Sequence, residues 1–229
     1  MYINTNTDTM TLASERSEFI RKVYLNLAMG FAGFIALESF LVTWQPAVEL
    51  AQKMVAGNNW LIVLLAFMGV SWVANAWAVN GATLSKQYAG FALYVIAESV
   101  IFLPLLIVAN AIAPDTIPQA GIITAALTAG ISAYAFFSKK DFSFLGSFLT
   151  IASFVALGII VCAILFGMQL GLWFSGAMII FAGLVVLYQT SAIIRQYRND
   201  QYVAAALGLF AAIVLMFWYI LQFLMARRD

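Results

Sequence analysis

The sequence predicts an all-α integral membrane protein with seven transmembrane helices. Three observations lead there. First, 64% of the 229 residues are hydrophobic and 9% are charged, where a soluble domain carries about a quarter charged residues. Mean hydropathy is +0.97. A core of this length cannot hide so much apolar surface from water, so the expected solvent is a lipid bilayer. Second, seven separate runs reach the roughly 20 mostly apolar residues that a spanning helix needs. Third, the stretches between those runs hold most of the charges and turn-forming residues.

The elements follow in order. Residues 1–22 are expected to form a cytoplasmic N-terminal tail. They have neither the early apolar core nor the small-residue cleavage site of a signal peptide. "SERSE", from Ser14, offers a helix cap with acids in the first turn. Residues 23–229 are expected to form one transmembrane domain, with spans near 23–43, 60–79, 88–112, 117–137, 144–166, 170–194 and 202–225. "TWQPAVELAQKMVAGNN" separates the first two spans, with Pro46, Gly57 and an Asn pair. "NGATLSKQ" carries Gly81 and Lys86, and "APDTIP" sets two prolines around Asp115. "SKKD" and "RQYRNDQ" are charged breaks. "FGMQLG" has no charge, but the apolar run across it is far too long for one span, so a tight hairpin is expected there.

Loop charges set the expected orientation. With the N-terminus inside, the inner loops hold Arg16, Arg21, Lys22, Lys86, Lys139, Lys140, Arg195 and Arg198, and the outer ones Lys53, Arg227 and Arg228. That excess predicts a cytoplasmic N-terminus. Ala28, Ala32 and Ala36 in the first span suggest a close-packed helix face. Cys162, the one cysteine, is expected to be a small buried hydrophobe.

Composition also excludes functions. Net charge is +1, which gives no electrostatic case for nucleic acid. With no histidine and one cysteine, the common zinc sites and Ser–His or Cys–His dyads are impossible. No aspartate lies within a predicted span, as a paired-aspartate protease would require. No phosphate-cradling glycine loop ends in Lys-Ser/Thr. The last span has no lysine to hold a retinal. Neither an enzyme nor a bound cofactor is expected.

The stretch "SAYAFFSKKDFSFLGSFL", Ser132 to Leu149, is a short cationic turn flanked by aromatics. Lys139 and Lys140 would lie at the headgroups, and Asp141 would cap the next helix. This turn resembles the signature of the Bax inhibitor-1 family. "LVVLYQTSAII", Leu184 to Ile194, is similar to that family's end of span six, and Tyr202 to Asp229 is similar to its last helix. The resemblance implies a bundle with the last helix central. It also implies a pH-sensitive calcium leak gated by two aspartates, one near the end of span six and one within span seven. Two carboxylates in contact share a proton, so such a pair responds to pH. Here the first position is Gln189 and the second falls near Ala212. Span seven has no acid at all, so that proton switch cannot operate in this chain.

Two acids do fall within predicted spans, Glu38 and Glu98. An ionised carboxylate at the centre of a spanning helix costs about 2.5–3.5 kcal/mol on insertion scales. Glu98 would lie near mid-membrane, with no base in any span interior. It is therefore expected to be neutral much of the time and hydrogen-bonded to another span, with Asn26, Asn75, Tyr94, Ser132, Tyr188 and Gln189 as candidate partners. In that place it would act as the proton-sensing or cation-binding group. Glu38, close to the outer end of its span, could snorkel to water. The expected function is a passive cation leak, with calcium as the transported ion and altered or lost pH gating. The alternative is a non-conducting regulator that binds a membrane-bound quality-control protease. Compact loops suggest a bacterial inner membrane.

Overall fold

The computed structural model describes residues 5–80, 83–138 and 140–227, with side chains from Ser14 onward. Among them the chain forms eight α-helices and no strand. They are α1 (Thr5–Leu41), α2 (Gln45–Val55), α3 (Asn59–Asn80), α4 (Leu84–Ile112), α5 (Thr116–Phe137), α6 (Leu145–Phe166), α7 (Gly171–Arg195) and α8 (Tyr202–Ala226). All but α2 are long and apolar enough to cross a membrane, α1 from Ser14 onward. The seven predicted spans therefore stand, and the chain is a multi-pass membrane protein. Lys139, Gly81 and Arg228 lie outside the described residues.

Two elements differ from expectation. Helix α1 begins at Thr5, so Ser14 and its neighbouring acids lie inside a helix and cap nothing. The first interruption contains α2. Pro46 is in its first turn, where a missing N–H breaks no helical bond. The helix is amphipathic, with Ala47, Ala51 and Met54 buried. Ala47 and Ala51 pack on Leu103 of α4, while Glu49 and Lys53 are exposed. The uncharged hairpin is as expected. Gly167 and Gly171 take left-handed φ values of 65° and 62°, which glycine adopts without steric cost. The Met168 N–H donates to the Ala163 carbonyl at 2.8 Å, closing α6.

Helix α8 is the centre of the bundle. Of its membrane window 72% is buried, against 11% for α3 and 17% for α6. It packs on α1, α3, α4, α5 and α7. Its Phe210 ring is ringed by Phe31, Phe34, Phe91 and Tyr94, with centroids 5.0–6.3 Å away. Ala204, Ala205 and Ala206 are buried on the same helix. Small residues matter here because lipid supplies no hydrophobic drive between helices, so close backbone approach must hold them together. Gly90 shows this most sharply: a Cβ there would lie 2.5 Å from the Ala74 carbonyl of α3.

Two packing expectations are corrected. Ala28, Ala32 and Ala36 are exposed. The face of α1 that packs carries Gly30, Phe34 and Glu38 instead, with Gly30 against Phe91 of α4. Cys162 is exposed on α6. In lipid an apolar thiol gains nothing by turning inward, and α6 has few neighbours to bury it.

One end of the bundle is tied by Arg16. Its guanidinium donates to the Ile193 carbonyl, to the Tyr197 carbonyl at 2.7 Å and to Asn199 Oδ1 at 3.1 Å. These carbonyls lie in and just after the last turn of α7, where helix acceptors are left unpaired and positive charge is favoured. The opposite end is marked by Trp60 of α3 stacked on Trp218 of α8 at 6.3 Å.

Candidate functional site

A cavity of about 1130 Å³ lies among α3, α4, α6, α7 and α8. Along α8 it runs from Leu207 to Ala226, which at 1.5 Å per residue is about 28 Å. That is close to the roughly 30 Å thickness of a bilayer's hydrocarbon core. The cavity reaches the protein surface. Trp72 and Met168 both line it, and they are 75% and 61% exposed. Helices α3 and α6 flank it but barely touch one another, so the seam between them faces the acyl chains.

Glu98 lines this cavity. It is the midpoint of α4, fourteen residues from Leu84 and fourteen from Ile112. It is buried, at 6% exposure. Its side-chain partner is Tyr94, one turn earlier on the same helix. Of the candidate partners, then, the structure selects the one on its own span and not a cross-link to another. The i,i+4 spacing places both groups on one face. Among the described residues no lysine or arginine lines the cavity, and its other titratable side chains are Tyr94 and Tyr219.

Gln189 lines the end of the cavity nearest Arg16. It sits six residues before the end of α7, and Gly208 six residues after the start of α8. The two meet directly: a Cβ on Gly208 would lie 2.9 Å from Gln189 Oε1. Tyr197 holds the amide from the loop side, its hydroxyl donating to Gln189 Oε1 at 3.4 Å. Burial pushes the Tyr197 phenol above its ordinary range, so it stays a neutral donor. Ala212, one turn beyond Gly208, lines the same wall. Asn75 of α3 also lines the cavity and is exposed. Glu98, Gln189 and Asn75 are thus brought to one space.

The other expected residues lie elsewhere. Tyr188 faces away from the cavity, its ring against Gly146 of α6. Ser132 pairs with Thr190 at 3.4 Å, and Asn26 Nδ2 donates to the Lys22 carbonyl at 2.8 Å. Glu38 is buried at 6% exposure, and neither carboxylate oxygen has a hydrogen-bond partner among the described residues. It does not snorkel, because its face of α1, shared with Phe34 one turn earlier, is turned inward. Asp141 does not cap α6, whose N-cap is Phe144. Asp141 Oδ1 instead accepts from the Ser143 N–H at 3.0 Å and from Ser191 Oγ at 3.5 Å. Ser191 Oγ in turn accepts the Phe142 N–H at 3.1 Å, tying the loop to α7. Lys140 is exposed. The cationic turn therefore serves to fasten α6 to α7 and stays clear of the cavity.

Sequence reasoning did not find Gly208, Tyr197, Trp60 or Trp218. For Gly208 a signal existed, a lone glycine in the alanine-rich start of the last span.

Among the described residues no three His, Cys, Asp or Glu side chains converge as a metal site. What the cavity offers a cation is one carboxyl group, neutral amides and aromatic faces.

Comparison with known proteins fits this architecture. The family model described as inhibitor of apoptosis-promoting Bax1 matches residues 16–229. The chain belongs to the Bax inhibitor-1 family. An uncharacterized protein of Pseudomonas aeruginosa is 29% identical over 218 residues, covering 91% of this chain and 89% of the relative. Protein LIFEGUARD 4 of Arabidopsis thaliana is 27% identical, covering 92% of this chain and 85% of its own length. The Golgi anti-apoptotic protein of Vaccinia virus is 28% identical, covering 91% and 85%. Within this membrane-protein family, the present chain carries Gln189 and an acid-free α8 at the end of the cavity.

Proposed function

We propose that this chain is a passive cation pathway in a bacterial inner membrane, with calcium as the ion that passes and the N-terminus on the cytoplasmic side. One observation carries the reading: Glu98, Asn75 and Gln189 line a single cavity that follows α8 for most of a bilayer's thickness. A stable calcium site needs six to eight oxygen ligands. A lone carboxylate supplies far fewer, so an ion is attracted without being trapped, as a leak requires.

Gating by a shared proton at Gln189 is impossible because an amide does not titrate. Charge in the pathway rests on Glu98, and protonating it removes the attraction for cations. Leak therefore falls as pH is lowered, and in Glu98→Gln it becomes low and independent of pH. The test is calcium flux from liposomes holding the purified protein, read across pH. A wild-type rate equal to that of empty liposomes refutes the pathway. Co-purification with a membrane-bound quality-control protease would then favour the regulator.

A further inference from the structure

We infer that the cavity is a binding site for a lipophilic organic monocation, such as an aryl phosphonium or a hydrophobic quaternary ammonium, with Glu98 as its counter-ion. The geometry around the carboxyl group carries this. Tyr94, Glu98 and Phe102 follow at i, i+4 and i+8 on one face of α4, and all three line the cavity. On one side of Glu98, Tyr94 pairs with Phe67 of α3, centroids 6.2 Å apart. On the other, Phe102 meets Trp218 of α8 edge-on at 4.8 Å. Phe67 and Trp218 line the cavity as well. One carboxyl group is thus bracketed by two aromatic pairs inside a space that no described lysine or arginine lines.

Aromatic faces attract a cation through their negative quadrupole, most strongly when the pair is shielded from water. Such faces reward a large, weakly hydrated cation over a small one that must shed a tight water shell. A single carboxylate selects a single positive charge. The route in is also in place. Trp72, 75% exposed, lines the cavity beside the α3–α6 seam, so a cation dissolved in the bilayer enters sideways. A volume of about 1130 Å³ accommodates an aryl cation comfortably. This site goes beyond the pathway reading, because binding needs no conduction.

The polar groups around the cavity are Ser71 and Asn75 of α3, Ser153 of α6, Ser175 and Gln189 of α7, and Tyr219 and Gln222 of α8. Among the described residues Tyr94 and Tyr219 are the titratable ones besides Glu98. Acidification therefore weakens binding through Glu98, by about tenfold per pH unit once the carboxyl group is mostly protonated.

The experiment is equilibrium dialysis of radiolabelled tetraphenylphosphonium against the detergent-solubilised full chain. Radiolabelled tetraphenylborate, of matching shape and opposite charge, is dialysed in a separate sample as the control. Saturable binding of one equivalent of the phosphonium is expected, with no saturable binding of tetraphenylborate. Glu98→Gln should weaken binding at least tenfold while its elution profile and Tm stay those of the parent. Trp218→Leu should weaken it several-fold and keep the pH dependence. Equal affinity in Glu98→Gln, equally tight saturable binding of tetraphenylborate in its own sample, or phosphonium binding that never saturates would each overturn the site. Calcium flux plays no part in the readout, so a protein that does not leak can still bind, and one that leaks can still fail here.

Discussion

At the scale of single residues, the two membrane acids have opposite settings. Glu98 has Tyr94 beside it and a cavity in front of it. Glu38 has neither, and both of its oxygens are buried without a partner among the described residues. A buried polar group left unpaired costs about 1–3 kcal/mol. Glu38→Met keeps the volume and removes the unpaired oxygens, so it should raise the Tm of the detergent-solubilised protein. A lower Tm would show that Glu38 has a stabilising partner. Gln189 and Gly208 form a second testable pair. Gly208→Ala drives a Cβ into the Gln189 amide, and Gln189→Ala should relieve it. The double variant should therefore be more stable than the sum of the singles predicts, by about 0.5–3 kcal/mol for residues in direct contact. Sequence alone singled out Glu98, since one carboxyl group in an apolar run is conspicuous. It did not reach Glu38's burial, because which face of α1 turns inward depends on Phe34 and its ring contacts with α4 and α8.

At the scale of elements, long apolar runs were legible and short amphipathic ones were not. The spanning helices could be read because each must satisfy its own backbone in lipid and so announces itself by length. Helix α2 was hidden because its eleven residues mix both residue classes and its proline reads as a breaker. The extension of α1 was hidden because its first turns are polar. Helix ends also carry what sequence could not show. Arg16 ties α1 to the end of α7 through two carbonyls and Asn199, a pairing across more than 170 residues. In Arg16→Ala those carbonyls lose their donor. Amide hydrogen exchange across 193–199 should then speed up while that of α4 stays unchanged. Unchanged exchange at both places would mean that water replaces the guanidinium at no cost. Close packing is as sharply localised. Gly90→Leu must separate α3 from α4, because the obstacle is the Ala74 carbonyl and the Ala78 amide, not a flexible side chain. It should lower the yield of monodisperse protein severely, whereas Gly158→Leu, in open space, should not.

At the scale of the whole molecule, a buried α8 surrounded by other helices leaves one long cavity along its length. The central helix followed from the family resemblance, and the bundle agrees with it. The cavity itself was not legible, because it is created by the sparse contact between α3 and α6, which no local pattern encodes. Much aromatic surface also stays outside, with Trp72 and Trp173 75% and 91% exposed. Lipid accepts both rings without penalty, so exposure here marks the bilayer face and carries no sign of misfolding.

The most direct test of the account is to block the cavity without touching its polar groups. Ala211 is partly buried on α8 and lines the cavity, so Ala211→Trp fills the space beside Glu98's wall. Calcium flux from liposomes at neutral pH should fall to the level of empty liposomes in this variant, with an unchanged Tm. Flux equal to that of the parent would place any ion path outside the cavity and contradict the account.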